Sequence, residues 1–237
     1  MFWIMAFRSK RTRSWWLVAV TACLLACGTV LPAAAEDGKA ASDTVKRAYT
    51  RIFTGDGFDT CHAPSLQAMS AWWKHSPYRA IGIYLGGPNR ACGDGNLSNS
   101  WVHSVNAMGW HLIPIYVGQQ APCTHQPHLG LMSAKNEADD AASAADEAVN
   151  RAAGLGIARG SAIYFDLESY GRKDAACTNL VVRYIGAWAG RLHARGYLAG
   201  VYSSAGSGIT DLAQANLPGV PRPDARHRRR VAPSGLV

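Results

Sequence analysis

The sequence predicts an α/β protein, a (β/α) barrel of the TIM type that is incomplete at about five βα units. Three observations carry this expectation. Short apolar runs alternate with helical patterns through the middle of the chain. Several of these runs are apolar throughout, as in a parallel sheet covered on both faces. Their ends are small or polar: Asp59, Gly86, Gly118, Glu168 and Ser203. Strands that deliver such groups at their C-terminal ends suit a barrel, whose site lies on that rim. A doubly wound open sheet is the other arrangement with this alternation.

The elements follow in order. Gly57-Phe58-Asp59-Thr60 reads as a short first strand. Pro64 and Ser65 open a helix with Leu66, Met69 and Trp73 on one face. The run 80–86 (AIGIYLG), closed by Gly87-Pro88, is a buried second strand. Ser98 or Asn99 caps the next helix, with Val102, Val105 and Met108 inside and Gly109 at its end. The run 111–118 (HLIPIYVG) is the third strand, despite the ladder hydrogen bond lost at Pro114. A loop over 119–132, rich in Gln, Pro and His, leads to an Ala-rich helix over 133–153. Acids early in it and Arg151 near its end match the helix dipole, and Gly154 stops it. The run 161–167 (SAIYFDL) is the fourth strand. Residues 178–195 form a helix with Val181, Tyr184, Ile185, Trp188 and Leu192 at helical spacing, capped by Gly196. The run 197–203 (YLAGVYS) is the fifth strand, and 208–216 begins a fifth helix.

The two ends differ from this body. The chain has 237 residues and a formal charge of +8. Residues 1–35 contribute Arg8, Lys10, Arg11 and Arg13 with no acid, and residues 218–237 contribute five Arg against Asp224. The body is therefore neutral, so the basic pI is no evidence for a nucleic-acid-binding face, and no nucleic-acid partner is expected. Residues 1–35 read as a secretory signal: a basic start, an apolar run over 15–31, then Ala33-Ala34-Ala35 as the cleavage site. The alternative is a lipoprotein signal with a lipid anchor at Cys27. Either way the protein is expected outside the cell with no stable membrane span after cleavage. Residues 36–54 are a leader, 55–217 the barrel domain and 218–237 a basic disordered tail. The abrupt change after Pro218 is read as a premature end or a shifted frame. A basic tail for anionic wall polymers or lipid head groups is the alternative.

Export changes how the cysteines read. Without Cys23 and Cys27 of the signal, Cys61, Cys92, Cys123 and Cys177 remain. An even number in an oxidising compartment points to two disulfides, with three pairings available. Zinc is the rival, but the set has no C-x-x-C pair. His125 and His128 lie in a Pro-containing loop without an acid nearby, so no metal and no cofactor is expected. All four cysteines fall near the C-terminal ends of the first four strands. Neighbours on one rim are close in space, which favours Cys61–Cys92 and Cys123–Cys177.

The chemistry centres on Tyr164-Phe165-Asp166-Leu167-Glu168. Side chains alternate along a strand, so Asp166 and Glu168 share a face, about 6.5–7 Å apart. Two acids at the end of an apolar strand are costly to bury unless something satisfies or uses them. A carboxylate pair whose proton affinities diverge is what glycoside hydrolysis requires. The plainer alternative is a strand end salt-bridged to an Arg. Asp59, ending the first strand, would face the same mouth. No G-x-G-x-x-G or G-K-[ST] loop is present, which removes the main nucleotide reading. Ser207, in Gly-Ser-Gly, lacks the context of a nucleophile elbow.

Several motifs occur in order: Gly57-Phe58-Asp59-Thr60-Cys61 with Ala63-Pro64-Ser65, Ile83-Tyr84-Leu85-Gly86-Gly87, 112–119 (LIPIYVGQ), 163–168 (IYFDLE) and Gly200-Val201-Tyr202-Ser203. From about Gly57 to about Asn216 the chain resembles the actinobacterial glycoside-hydrolase-like family long filed as domain of unknown function 1906. That family is a TIM-barrel relative of the family 25 lysozymes. The resemblance implies Glu168 as general acid on the glycosidic oxygen. It implies Asp166 as the group that orients a 2-acetamido substituent or stabilises positive charge on the sugar, and Asp59 as tuning their ionisation or holding a water. Tyr84, Tyr116 and Tyr202 are candidates to stack on sugar faces, as is Tyr164, with core packing as the alternative. Gln119 and Gln120 are candidates to hydrogen-bond a glycan. The expected function is a secreted glycoside hydrolase-like protein acting on cell-wall polysaccharide of the peptidoglycan type. A wall-glycan-binding domain without turnover, or a truncated inactive remnant, is the alternative.

Overall fold

The computed structural model describes residues 53–215 and the backbone of residues 225–228. The expectations for the signal, most of the leader and most of the tail lie outside the described residues. The strands are β1 (Asp56–Asp59), β2 (Tyr78–Gly86), β3 (His111–Tyr116), β4 (Ala162–Leu167), β5 (Leu198–Ser203) and β6 (Ala225–Arg228). The helices between them are α1 (Leu66–His75), α2 (Asn99–Ala107), α3 (Glu137–Gly154), α4 (Ala175–Ala194) and α5 (Gly208–Gln214). One sheet runs in the order β1-β2-β3-β4-β5-β6, and every adjacent pair is parallel. Each crossover moves to the neighbouring strand in the same direction, which is the winding of a β/α barrel. Among the described residues the sheet is an open arc, not a closed barrel.

The arc is strongly curved. The Tyr202 hydroxyl on β5 donates to Asp59 Oδ2 on β1 at 2.6 Å. Strands four places apart in a flat sheet lie about 19 Å from each other. Two side chains span that gap only if the inner face is concave. The core divides accordingly. Ala80, Ile113, Ile115, Tyr164 and Tyr202 form a small cluster made only of strand residues, on the concave face. The larger cluster joins the helices to the alternate strand residues, among them Ile81, Ile83, Leu85, Ile163, Phe165 and Val201.

Local chemistry sets the helix ends. Ser65 accepts from Ala68 N–H, Ser98 from Trp101 N–H, and Asp174 from Ala176 and Cys177 N–H. Ser98, not Asn99, is therefore the cap of α2. Gly109 closes α2 at φ +101°, where a side chain would be strained. α3 begins at Glu137, later than the sequence pattern suggests, and its first turn holds Glu137, Asp139 and Asp140. Gly154 is still helical; the left-handed turn falls on Gly156 at φ +79°.

Two expectations need correction. Ala225–Arg228 pair with Gly200–Ser203, so a strand lies where the sequence suggested only a disordered tail. The backbone groups of an edge strand take a parallel partner whatever its composition. Leu66, placed on the buried face of α1, is exposed; Met69 is the residue that α1 buries.

Candidate active site

β1 and β4 place three carboxylates on one cleft at their C-terminal ends. The cleft has a volume of about 350 Å³, and Asp59, Asp166 and Glu168 line it together with Tyr84, Arg90 and Gln126. Asp59 and Asp166 are buried, at 6% and 2% exposure, whereas Glu168 is half-buried. That difference decides which acid meets a ligand coming from solvent. The register puts Asp59 beside Gly82 and Asp166 beside Tyr202. A Cβ at residue 82 would lie 2.8 Å from that of Asp59, so only glycine leaves the acid its place.

Tyrosines fix Asp59. Its Oδ2 accepts from the Tyr84 hydroxyl at 3.1 Å and from the Tyr202 hydroxyl at 2.6 Å. These two phenols therefore act through their O–H groups, whatever their rings contact. Tyr164 lies on the same concave face with its ring over Gly200, and burial pushes its phenol up to about 12.

Glu168 is positioned from β3. The buried Gln120 side chain accepts from Glu168 N–H at 2.7 Å and donates to Asp166 O at 2.8 Å and Gly118 O at 2.9 Å. One amide thus stitches the end of β3 to both acids' backbones. On the rim, Gln126 Nε2 donates to Glu168 Oε2 at 3.3 Å. The sequence suggested Gln120 only as a glycan contact, and its buried place makes it a positioning residue.

The cleft wall is covalently tied. Cys61 is bonded to Cys92, and both line the cleft. Cys123 is bonded to Cys177 at 2.07 Å, joining the loop after β3 to the first turn of α4. His62 lies near the first pair, with donor atoms of Cys61, His62 and Cys92 within 4.8 Å of one another. Sulfurs joined to each other are not thiolates, so this trio offers a metal no Cys ligand in the oxidised protein.

Tyr116 and Gln119 do not join the cleft. The Tyr116 hydroxyl donates to Glu147 Oε2 of α3 at 2.7 Å, on the helix-covered face. Burial, followed by the Glu147 contact and Tyr184, pushes its phenol far upward. Gln119 lines a second cavity on that side with Tyr116. Both were expected at the mouth; alternation along β3 turns Tyr116 to the helix-covered face, and Gln119, beyond the end of that strand, lines the cavity there. Arg90 and Gln126 are among the cleft residues that the sequence reading did not single out. Arg90 sits in a Gly/Asn-rich loop with no pattern to mark it, where it bonds Asp94 Oδ1 at 2.6 Å. Gln126 lies in the loop over 119–132, of whose glutamines only Gln119 and Gln120, beside the end of β3, were singled out.

The family model for the Rv2525c-like, glycoside hydrolase-like domain matches residues 71–232. The chain belongs to this family. The matched span begins inside α1, so β1 and Asp59 precede it, and it extends through β6, past the limit near Asn216 that the motifs suggested. Comparison with curated proteins gives no match. Among solved structures, an uncharacterized B. stearothermophilus protein is similar at 20% identity and TM-score 0.46, over 74% of this chain and 82% of that one. The catalytic domain of endolysin ply40 from bacteriophage P40 of Listeria monocytogenes is similar at 14% identity and TM-score 0.38, over 62% and 63%. The modular autolysin LytC from Streptococcus pneumoniae is similar at 14% identity and TM-score 0.36, over 54% of this chain and 27% of that one. At TM-scores below 0.5, likeness carries neither fold nor chemistry from one chain to another. No helix among the described residues is long and apolar enough to cross a membrane.

Proposed function

We propose that this glycoside hydrolase-like chain is exported and hydrolyses a glycosidic bond of cell-wall polysaccharide, of the peptidoglycan type, by carboxylate chemistry. The observation that carries the proposal is the convergence of Asp59, Asp166 and Glu168 on one cleft, with Glu168 the most accessible. Glu168, held through its backbone by Gln120, gives its proton to the glycosidic oxygen as the bond to the anomeric carbon breaks. Asp166 faces the positive charge that develops on the sugar ring, or orients its 2-acetamido group. Asp59, fixed by two phenols, holds the incoming water. Water supplies the hydroxyl to the anomeric carbon, and its remaining proton restores the acid. The disulfides suit the oxidising compartment that export would provide.

Binding of wall glycan without turnover is the second reading. It is favoured by the engagement of Asp59 with Tyr84 and Tyr202, which makes that carboxylate a fixed part of the wall. One experiment separates the two. Purified sacculi are incubated with wild type and Glu168→Gln, following release of soluble sugar and co-sedimentation of protein. The expected result is hydrolysis by wild type, a loss of at least about 100-fold in the variant, and unchanged co-sedimentation. Undiminished hydrolysis by Glu168→Gln overturns the acid role. Co-sedimentation of wild type without sugar release establishes the second reading.

A further inference from the structure

The residues that the cleft does not use lead to a second site. On the helix-covered side, a cavity of about 370 Å³ opens between the end of β3 and helices α3 and α4. Asp140, Glu147, Gln119 and Tyr184 are among its lining residues. Tyr184 is fully buried, and its hydroxyl has no hydrogen-bond partner among the described residues. Gln119 Oε1 is likewise buried and without a partner there. Buried polar atoms normally find partners, and two orphans on one cavity are a reason to look for a ligand. We propose that this cavity binds a small organic cation carrying two ammonium groups.

The charge and the spacing select that class. Asp140 and Glu147 line the cavity, and no Lys or Arg does. The two acids lie seven residues apart on α3, about 10.5 Å along the helix axis. Among the described residues the three metal-ligating side chains that come close together are Cys61, His62 and Cys92, so the two acids have no third such ligand beside them for a metal ion. Two ammonium groups on a short alkyl chain match the separation. The Tyr116 hydroxyl holds Glu147 in place at one end. At the other end Asp140 lies close enough to Tyr184 that, after burial, its charge is the second cause holding that phenol's proton on. The neutral phenol and the Gln119 carbonyl then offer oxygens to the N–H groups between the two acids. The inference does not rest on the hydrolase reading, because none of these residues touches the carboxylate cleft.

The test uses the full chain and 1,5-diaminopentane, with pentane-1,5-diol as the uncharged probe of equal length, by calorimetry at low salt. Saturable binding of the diamine is expected, at least tenfold weaker in Asp140→Asn/Glu147→Gln and at least threefold weaker in Tyr184→Phe. Asp140 and Glu147 are at the surface of α3, and circular dichroism checks that their variant is folded. Equal binding of the diol overturns the assignment of charge. Absence of diamine binding, or binding unchanged in the double variant, overturns the site. Loss of sacculus hydrolysis with diamine binding retained bears on the cleft alone.

Discussion

Replacing Gln120 by leucine removes three hydrogen bonds and little volume. The lost bonds are those to Gly118 O, Asp166 O and Glu168 N–H, at 2.9, 2.8 and 2.7 Å. At about 1 kcal/mol net for each buried bond, the loss sums to about 3 kcal/mol. Added apolar contact from leucine offsets about 1 kcal/mol of it. A net loss of about 2 kcal/mol lowers the folding equilibrium roughly 30-fold. Gly118 O keeps the Asn89 Nδ2 donor, so the damage concentrates at the β4 end, where Glu168 leaves the strand. The assay is urea unfolding followed by Trp fluorescence, read as a midpoint shift at constant slope. A parallel sacculus assay should show turnover falling more than binding, because the acid loses its placement while the cleft keeps its lining. A midpoint within error of wild type, with full turnover, would refute the view that Gln120 positions the two acids.

Four further outcomes are expected. Gly82→Ala puts a Cβ 2.8 Å from that of Asp59 and 2.9 Å from Ile115 Cδ1. It should cost about 1–3 kcal/mol by overpacking. Gly154→Ala, whose Cβ meets nothing within 4 Å, should gain about 0.4–1 kcal/mol; thermal melts of the pair check the contrast. Cys123→Ala/Cys177→Ala opens a loop of 54 residues and should lose about 4 kcal/mol on the chain-entropy estimate, against which denaturant titration is the check. Burial lowers the pKa of His111, which stacks on Phe53 at 5.0 Å. The unfolded chain takes up that proton first, so stability is full above about pH 6.5 and falls as the pH drops through the folded value. Melts from pH 8 to 5 should show this decline, and His111→Phe should flatten it.

The fold was legible because punctuation and run length agree along this chain. Ser65 and Ser98 cap α1 and α2 where their side chains suggested it, and Gly109 and Gly196 follow the ends of α2 and α4 with positive φ. The alternation alone left a doubly wound sheet open; the polar and small groups at the strand ends favoured the barrel order that the sheet shows. Two positions show what this logic misses. Ser133 has the chemistry of a cap, but its hydroxyl accepts from Lys135 N–H in a turn, and α3 waits until Glu137. The strand at Ala225–Arg228 carries no hydrophobic pattern; its backbone pairing with β5 places it, and backbone pairing leaves no trace in composition.

The site was half legible for a sharper reason. Three strands carry the pair Ile-Tyr: Ile83-Tyr84, Ile115-Tyr116 and Ile163-Tyr164. The pairs look equivalent and are not. The register sets Tyr84 beside Ile115 and Ile115 beside Tyr164, so one row across the sheet reads Tyr, Ile, Tyr. Residues in register share a face, and Tyr84 and Tyr164 accordingly lie with Ile115 on the concave side. Tyr116, one residue on, faces the helices. A strand that is apolar on both faces contains nothing that fixes which face is inside, and a shift of one residue exchanges them. Asp166 and Glu168 escaped that ambiguity because charge is tolerated on one side only, at the solvent-reached end of the concave face. Acids at strand ends therefore predict their own orientation, whereas tyrosines, satisfied by a carboxylate on either face, do not. Asp59 holds Tyr84 and Tyr202 on one side of the sheet, and Glu147 holds Tyr116 on the other.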